Sequence, residues 1–148
     1  MSVNVPLERL RAELERRGNV AYLLTVGDDG RPHCVAVSVH WESEDLVMGS
    51  GTTSTHNATA RRLVTLLTPP VEADETAGYG GADAGGADTA GYSLIVDGEV
   101  TTAATNDAGG GTVKVRPTHA VLHRPATGAT GHDCAHVFGA VRKAGGEL

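Results

Sequence analysis

Residues 20–50 alternate short apolar runs with polar turns, and this alternation constrains the fold more than any other feature. Val20–Val26 is almost entirely apolar, as expected of a strand buried on both faces. Asp29-Gly30 follows, and this dipeptide is typical of tight hairpin turns. Cys34–Trp41 then carries valine at alternate positions, which predicts a second strand with one apolar face. An acidic turn leads into a third strand, Leu46–Ser50, so an antiparallel sheet is expected.

The rest of the chain predicts more strands and little helix. Leu7, Leu10 and Leu14 share one face of a helix that is expected over a barrel mouth, with Glu13 and Arg17 on its solvent face. The further strand segments are Leu63–Leu67, Tyr92–Val96, Glu99–Thr102 after a turn at Asp97-Gly98, and Thr112–His123, which Pro117 either breaks or places at a sheet edge. About six strands with two short helices in supporting roles indicate a mainly β fold, an antiparallel six-stranded barrel.

Length and charge limit the domain count and the partners. At 148 residues the chain is expected to form one domain, 1–148, with an aliphatic core because only 3% of its residues are aromatic. The net charge of −6 argues against a nucleic-acid partner, because such proteins need dense positive charge. No apolar run approaches the about 20 residues of a membrane helix, and no secretory signal is evident. We therefore expect a cytoplasmic protein without membrane contact.

Two segments fall outside the strand pattern. Residues 73–90 contain four acidic residues, no basic residue and almost no large apolar side chain. Such a segment cannot bury enough surface to offset its ordering entropy, so a flexible Gly/Ala/Asp-rich insert is expected. Residues 124–148 are rich in Gly, Ala and Thr and are expected to form a loose tail. His132, Cys134 and His136 alternate in that tail, but a fourth ligand is missing, so no metal site is expected.

A hydroxyl-rich segment after the third strand has the composition of a phosphate-binding loop. It consists of Ser50, Gly51, Thr52, Thr53, Ser54, Thr55, His56 and Asn57. Glycine lets the main chain approach an anion, and hydroxyl groups can donate hydrogen bonds to it. If Ala58–Arg62 is helical, its free N–H groups face the same place, and Arg61 adds positive charge nearby. The alternative is a capped helix without a ligand, because Ser and Thr are ordinary capping residues.

The order of these segments, from Val20 to Leu67, resembles the flavin-binding split barrels of the pyridoxamine 5′-phosphate oxidase-like superfamily. The resemblance implies a split barrel of Greek-key topology and a homodimer with flavin sites at its two-fold interface. It implies FMN as the cofactor, with the phosphate held by residues 50–57 and by Arg61. The isoalloxazine ring is then expected against the second and third strands, beside Val37, Ser38 and Val39.

Individual positions depart from the pattern of this superfamily. His56 stands where relatives commonly carry a phosphate-binding lysine, and the basic positions on the second strand of the oxidases themselves fall near Cys34 and Val39. Vitamin B6 oxidase activity is therefore not expected. Three alternatives stay open: an FMN-dependent oxidoreductase of unknown substrate, a deazaflavin-dependent reductase that uses the same groove, and a non-catalytic barrel that sequesters flavin or holds no cofactor. Flavin chemistry resides in the cofactor, so no catalytic residue is assigned.

Overall fold

The computed structural model describes residues 2–71 and 91–124. Within these residues the chain forms β1 (Ser2–Asn4), α1 (Leu7–Glu15), β2 (Val20–Val26), β3 (Pro32–Glu42), β4 (Asp45–Gly51), α2 (Thr52–Arg61), β5 (Leu63–Thr68), β6 (Ser93–Thr105) and β7 (Gly110–His123). The insert predicted at 73–90 lies outside the described residues, and so does the predicted tail beyond residue 124, including His132, Cys134 and His136. Neither helix has both the length and the apolar character that crossing a bilayer requires.

Six antiparallel strands close into a barrel, which confirms the predicted mainly β fold with two helices. The strands follow one another around the barrel in the order β7-β4-β3-β2-β5-β6, and β6 returns to pair with β7. The short strand β1 adds to β7 outside this ring through Ser2↔His123, Val3↔Leu122 and Asn4↔Val121. Since β4 and β5 are not neighbours, the chain crosses between them through α2. This crossing places α2 where it can meet any ligand held between β3 and β4.

The barrel interior is aliphatic, as the composition predicts. Alternate residues of the strands point inward, and the largest fully buried side chains are Leu10, Leu23, Leu46, Met48, Leu66, Leu94 and Leu122. The helix α1 packs against β7 and contributes Leu10 and Leu14 to this core. Burial of a leucine side chain stabilises a fold by about 1.5–3 kcal/mol, so these residues contribute substantially to the packing energy.

Glu13 and Arg17 are buried, so their predicted place on the solvent face of α1 is wrong. Their side chains are 6% and 1% exposed, and 3.9 Å separates Arg17 Nη2 from Glu13 Oε2. Arg17 Nη1 donates a hydrogen bond of 2.5 Å to the carbonyl oxygen of Tyr92. Burial lowers the pKa of Arg17, partly offset by the Glu13 carboxylate. The pair ties the end of α1 to the segment that leads into β6, which helical spacing alone does not reveal.

The predicted turn at Asp97-Gly98 is also wrong, because β6 runs unbroken from Ser93 to Thr105. Gly98 instead lies at an irregularity in the pairing of β6 with β7. A Cβ atom at this position would lie 2.3 Å from Val115 Cγ1 and 2.9 Å from the Arg116 carbonyl oxygen. Glycine therefore permits a close approach of the two strands rather than a reversal of the chain.

Pro117 lies inside β7 and does not break it. It pairs with Gly98 at the irregularity described above. On the other side of β7, pairing with β4 ends at Val115 and pairing with β1 begins at Val121. The strand behaves locally as an edge, which is where a residue without an N–H group is tolerated.

Candidate functional site

The strands β3 and β4 part before either of them ends. They pair only from Val39↔Met48 to Glu42↔Asp45. The remainder of β3, back to Pro32, pairs with β2 on its other side, and β4 continues to Gly51 in pairing with β7. The facing edges of the two strands therefore present main-chain N–H and C=O groups without a strand partner, available to a ligand.

A cleft of about 450 Å³ occupies this opening. This volume lies within the range of about 300–1,000 Å³ that is usual for small-molecule sites. Its lining comes from three elements, β3, β4 and the start of α2. The lining residues are His33, Val35, Ala36, Val37, Gly49, Ser50, Gly51, Thr52, Thr53 and Ser54.

The helix α2 begins at Thr52, so the predicted loop from Ser50 to Asn57 is mostly helical. The error has a physical reason. Ser, Thr and Asn disfavour helix interiors, because their side chains compete for main-chain hydrogen bonds or lose rotamer freedom. Packing overrides that preference here, since Ser54, Thr55, Asn57 and Ala58 are all buried.

The start of α2 is directed to the cleft and lacks a side-chain cap. Gly51 is the N-cap residue, in an extended conformation, and no acidic residue occupies the first turn. The first N–H groups of a helix have no partner within it and carry the positive end of the helix dipole. Thr52, Thr53 and Ser54 in the cleft lining thus form a start that favours an anion.

The hydroxyl groups of this turn divide into two kinds. Thr55 Oγ1 donates to the Gly51 carbonyl oxygen at 3.0 Å and lies 2.6 Å from Ser50 Oγ. Thr52 donates to the Gly109 carbonyl oxygen in the turn between β6 and β7. Within the described residues, Ser54 makes no side-chain hydrogen bond, although its residue is only 1% exposed. Thr52 and Thr55 therefore position the helix, whereas Ser54 lines the cleft with an unused hydroxyl group.

Gly111 of β7 makes room for this arrangement. A Cβ atom there would lie 2.4 Å from Thr55 Oγ1 and 2.7 Å from the Ala104 carbonyl oxygen. The missing side chain lets the first turn of α2 lie directly on β7, which fixes the helix start relative to the cleft.

His56 and Arg61 do not line the cleft, contrary to the expected place of a phosphate ligand. His56 Nε2 lies 2.9 Å from Asp28 Oδ2, and Arg61 Nη1 donates to Asp28 Oδ1 at 3.1 Å. Hydrogen bonds from His56, which has the larger effect, and from Arg61 lower the pKa of Asp28. Asn57 Nδ2 donates to Thr25 Oγ1 at 3.1 Å in the buried contact between α2 and β2. These three residues attach α2 to the hairpin of β2 and β3.

The three residues expected beside the flavin ring are separated by the alternation of β3. Val37 lines the cleft, although most of its side chain is in the barrel core. Ser38 points to the outer face and is exposed. Val39 is buried and lines a second, smaller cleft of about 250 Å³ beside α1, together with Trp41 and Arg11. The Arg11 guanidinium lies 4.6 Å from the centroid of the Trp41 ring, so Trp41 packs against α1 rather than against the larger cleft.

Sequence reasoning missed His33, Val35, Ala36 and Gly49 in the cleft lining. His33 shares the alternation of Val35 and Val37, and that period was the available signal. No protein atom lies within 4 Å of the position that a Cβ atom on Gly49 would take, so this face of the cleft is open. Among residues 2–71 and 91–124, no three potential metal ligands lie together.

The sequence matches no protein-family model and no curated protein. Solved structures nevertheless share the fold. An FAD-binding protein from Mesorhizobium loti aligns with a TM-score of 0.56 at 13% identity, over 82% of this chain and 95% of its own. An F420 reductase aligns with a TM-score of 0.51 at 20% identity, over 73% of this chain and 93% of its own. A protein of the pyridoxinephosphate oxidase family from Clostridium acetobutylicum aligns with a TM-score of 0.53 at 11% identity, over 81% and 91%.

The chain thus has the split-barrel fold of pyridoxamine 5′-phosphate oxidase-like proteins, and the predicted resemblance is confirmed for the fold. Proteins described as heme-binding or heme storage proteins share this fold as well. At identities of 20% or less, these similarities concern architecture, so any function rests on the residues of the cleft.

Proposed function

We propose that the chain binds FMN in the cleft between β3 and β4 and serves an oxidoreductase reaction of unknown substrate. One observation carries the proposal: an uncapped helix start, whose residues Thr52, Thr53 and Ser54 line the cleft, opens onto a gap between two parted strands. The helix start suits a phosphate, and the open strand edges suit the polar rim of a planar ring.

Different residues of the cleft would contact the phosphate and the ring of FMN. The N–H groups of Thr52, Thr53 and Ser54, with the hydroxyl groups of Thr53 and Ser54, would hold the phosphate. The main chain at Val37 and Gly49 would lie along the ring. When bound, a flavin supplies the capacity for hydride transfer, and the chain contributes binding and orientation.

The other residues expected at the site would act indirectly. Ser50 and Gly51 lead into α2 and line the cleft, while Thr55 and Asn57 hold the helix in place. His56 and Arg61 are committed to Asp28, so they would contribute to the helix position rather than to direct phosphate contact. Because none of the described residues that line the cleft is a lysine or an arginine, we expect FMN affinity below that of a site with fixed cations.

A deazaflavin coenzyme is the alternative cofactor, since it also combines a planar ring with a phosphate and an F420 reductase shares the fold. A non-catalytic barrel that sequesters flavin or holds none is the competing class of function. Visible absorption separates a loaded barrel from an empty one, because purified protein with a bound flavin or deazaflavin absorbs in the visible range and an empty barrel does not.

We further propose that two copies form a homodimer through the outer face of β2. Val20, Tyr22 and Val26 are 55%, 42% and 40% exposed on that face. Tyr22 lies between Ala36 of β3 and Leu67 of β5 in the sheet register, so the apolar surface continues across three strands. An apolar sheet face of this kind is best covered by a second copy, and two-fold dimers are the commonest oligomers.

Gly49→Val tests the location of the cofactor. A valine fits at Gly49 without a protein clash and fills the open part of the cleft, so FMN binding should weaken at least tenfold while stability is kept. Fluorescence titration with FMN measures the affinity, and thermal unfolding without ligand checks the fold. Thr112→Val is the matched control, because Thr112 pairs with Gly49 on β7 but does not line the cleft.

Equal FMN affinity in the two variants would place the flavin elsewhere on the barrel. If the wild-type protein binds neither FMN nor a deazaflavin coenzyme, the non-catalytic alternative stands. A strong absorption band on addition of heme instead of flavin would redirect the assignment to heme binding.

A further inference from the structure

His33 is the only histidine among the described residues that line the cleft, and histidine is the side chain that most readily gains a positive charge near physiological pH. It is half-buried on β3 and lies on the same side of that strand as Val35 and Val37. The remaining lining residues are Val, Ala, Gly, Ser and Thr. An anion in this cleft would therefore meet a single side chain that can gain a positive charge.

His33 and the start of α2 line the same cleft. On the side of β3 that faces β4, His33 lies beyond the last pair, Val39↔Met48, where the two strands have parted, and it lines the cleft together with Ser54. On its other side His33 pairs with Thr25, and Thr25 Oγ1 accepts a hydrogen bond from Asn57 of α2. His33 thus lies at the end of the cleft that the helix start closes, away from the end where β3 and β4 still pair.

The charged groups in the turns next to the cleft do not line it. In the turn of the β2–β3 hairpin, Asp28 holds His56 and Arg61 of α2, and Arg31 Nε lies 3.7 Å from Asp29 Oδ2. Asp107, in the turn between β6 and β7, is exposed and does not line the cleft. None of these groups takes the place of His33 inside the cleft.

We propose that protonated His33 binds the phosphate of the flavin nucleotide at the start of α2, and this rests on the proposed function. The imidazolium ring gives the cleft a conditional cation where it has no lysine or arginine, and charge-assisted hydrogen bonds to phosphate are strong. Binding of the nucleotide consequently depends on pH. Binding of riboflavin, which has the ring but lacks the phosphate, does not.

The test compares FMN with riboflavin between pH 5.5 and 8.5 in the wild type, His33→Gln and His119→Gln. FMN should bind His33→Gln about tenfold more weakly than the wild type at pH 5.5 and about equally at pH 8.5, since only the protonated ring carries the contact. Riboflavin affinity should be the same in all three proteins. His119→Gln is the matched control, because His119 is an exposed strand histidine beside Asp97 that does not line the cleft.

The phosphate of FMN itself titrates in this range, but it does so equally for all three proteins. The difference between His33→Gln and the wild type therefore isolates the histidine. A parallel NMR titration of wild-type protein follows the His33 ring directly. By linkage, FMN should shift its titration midpoint to higher pH, and riboflavin should not.

Each other outcome counts against the inference in a recognisable way. If His33→Gln follows the wild-type pH profile for FMN, or the NMR midpoint is unchanged by FMN, the phosphate contact is absent. If riboflavin affinity falls as much as FMN affinity, His33 supports the ring or the fold instead. If the wild type binds neither compound, the proposed function fails together with this inference. The NMR arm uses unaltered protein, so it decides the matter even if His33→Gln does not fold.

Discussion

Ser54 and Thr55 are adjacent in sequence and equally buried, yet their side chains have different surroundings in the structure. Each residue is 1% exposed. The Thr55 hydroxyl makes hydrogen bonds with the Gly51 carbonyl oxygen and the Ser50 hydroxyl. Ser54 instead lines the cleft. A single hydroxyl-rich motif thus contains a residue that lines the cleft and one whose hydroxyl group is bonded within the protein.

Ser54→Ala and Thr55→Val should separate these roles. Ser54→Ala should weaken FMN binding by about 1.5–3 kcal/mol, the value of a hydrogen bond to a charged group, and leave unfolding unchanged. Thr55→Val keeps the shape but removes the hydrogen bonds of the Thr55 hydroxyl with the Gly51 carbonyl oxygen and Ser50 Oγ, so it should lower the free energy of unfolding by about 1–3 kcal/mol. Calorimetric titration and urea denaturation measure the two quantities. The assignment is wrong if Ser54→Ala binds FMN as the wild type does.

The sequence identifies the residue types of this site better than their roles. The hydroxyl groups from Thr52 to Ser54 could be found because phosphate ligands have a limited chemistry. The partners of His56 and Arg61 could not, since Asp28 is 28 and 33 residues away in the chain. Only the packing of α2 across the β2–β3 hairpin brings these groups together.

At the scale of elements, Asp28 joins α2 to the β2–β3 hairpin through two bonds that depend on its charge. His56 and Arg61 lower the pKa of Asp28, so the folded protein binds a proton there less readily than the unfolded chain does. The resulting stabilisation is present above the unfolded pKa of about 3.9 and is lost as pH falls through the lower folded value.

Asp28→Asn should therefore flatten the acid limb of the stability curve. Between about pH 5 and pH 3 the melting temperature of the wild type should fall more steeply than that of the variant. Asp107→Asn is the control, since Asp107 is an exposed carboxylate in the other hairpin turn. Parallel curves for the wild type and Asp28→Asn would show that the contact contributes nothing measurable at this exposed position.

Strands were easier to predict than the points where they turn or end. The alternation of Val35, Val37 and Val39 reports burial directly, and the hairpin at Asp29-Gly30 has a strong local signal. Asp97-Gly98 has the same local signal, but β7 approaches so closely that the dipeptide stays within a strand. An Asp-Gly dipeptide therefore predicts a turn correctly only where no neighbouring strand pairs with it.

At the scale of the whole molecule, the exposed face of β2 predicts the assembly. Tyr22→Asp places a charge in the centre of that face and should convert a dimer into a monomer. Leu63→Asp is the matched control, because Leu63 is 66% exposed but lies at the start of β5, away from Tyr22. Light scattering at micromolar concentration gives the mass of each protein. A wild type with the mass of one chain excludes this interface, and a monomeric Leu63→Asp would place the interface at β5.

The uncapped start of α2 has a consequence for how such proteins diverge. An anion site made mainly of main-chain N–H groups asks little of side-chain identity, because every residue except proline offers the same donor. Such a site is defined by where a helix begins relative to two parted strands. Many sequences can adopt that geometry. Substitutions can then accumulate without cost to recognition, and the architecture persists among chains that share 11–20% of their residues with this one. The similarity among such barrels therefore lies in the placement of the backbone and is hard to detect by comparing sequences.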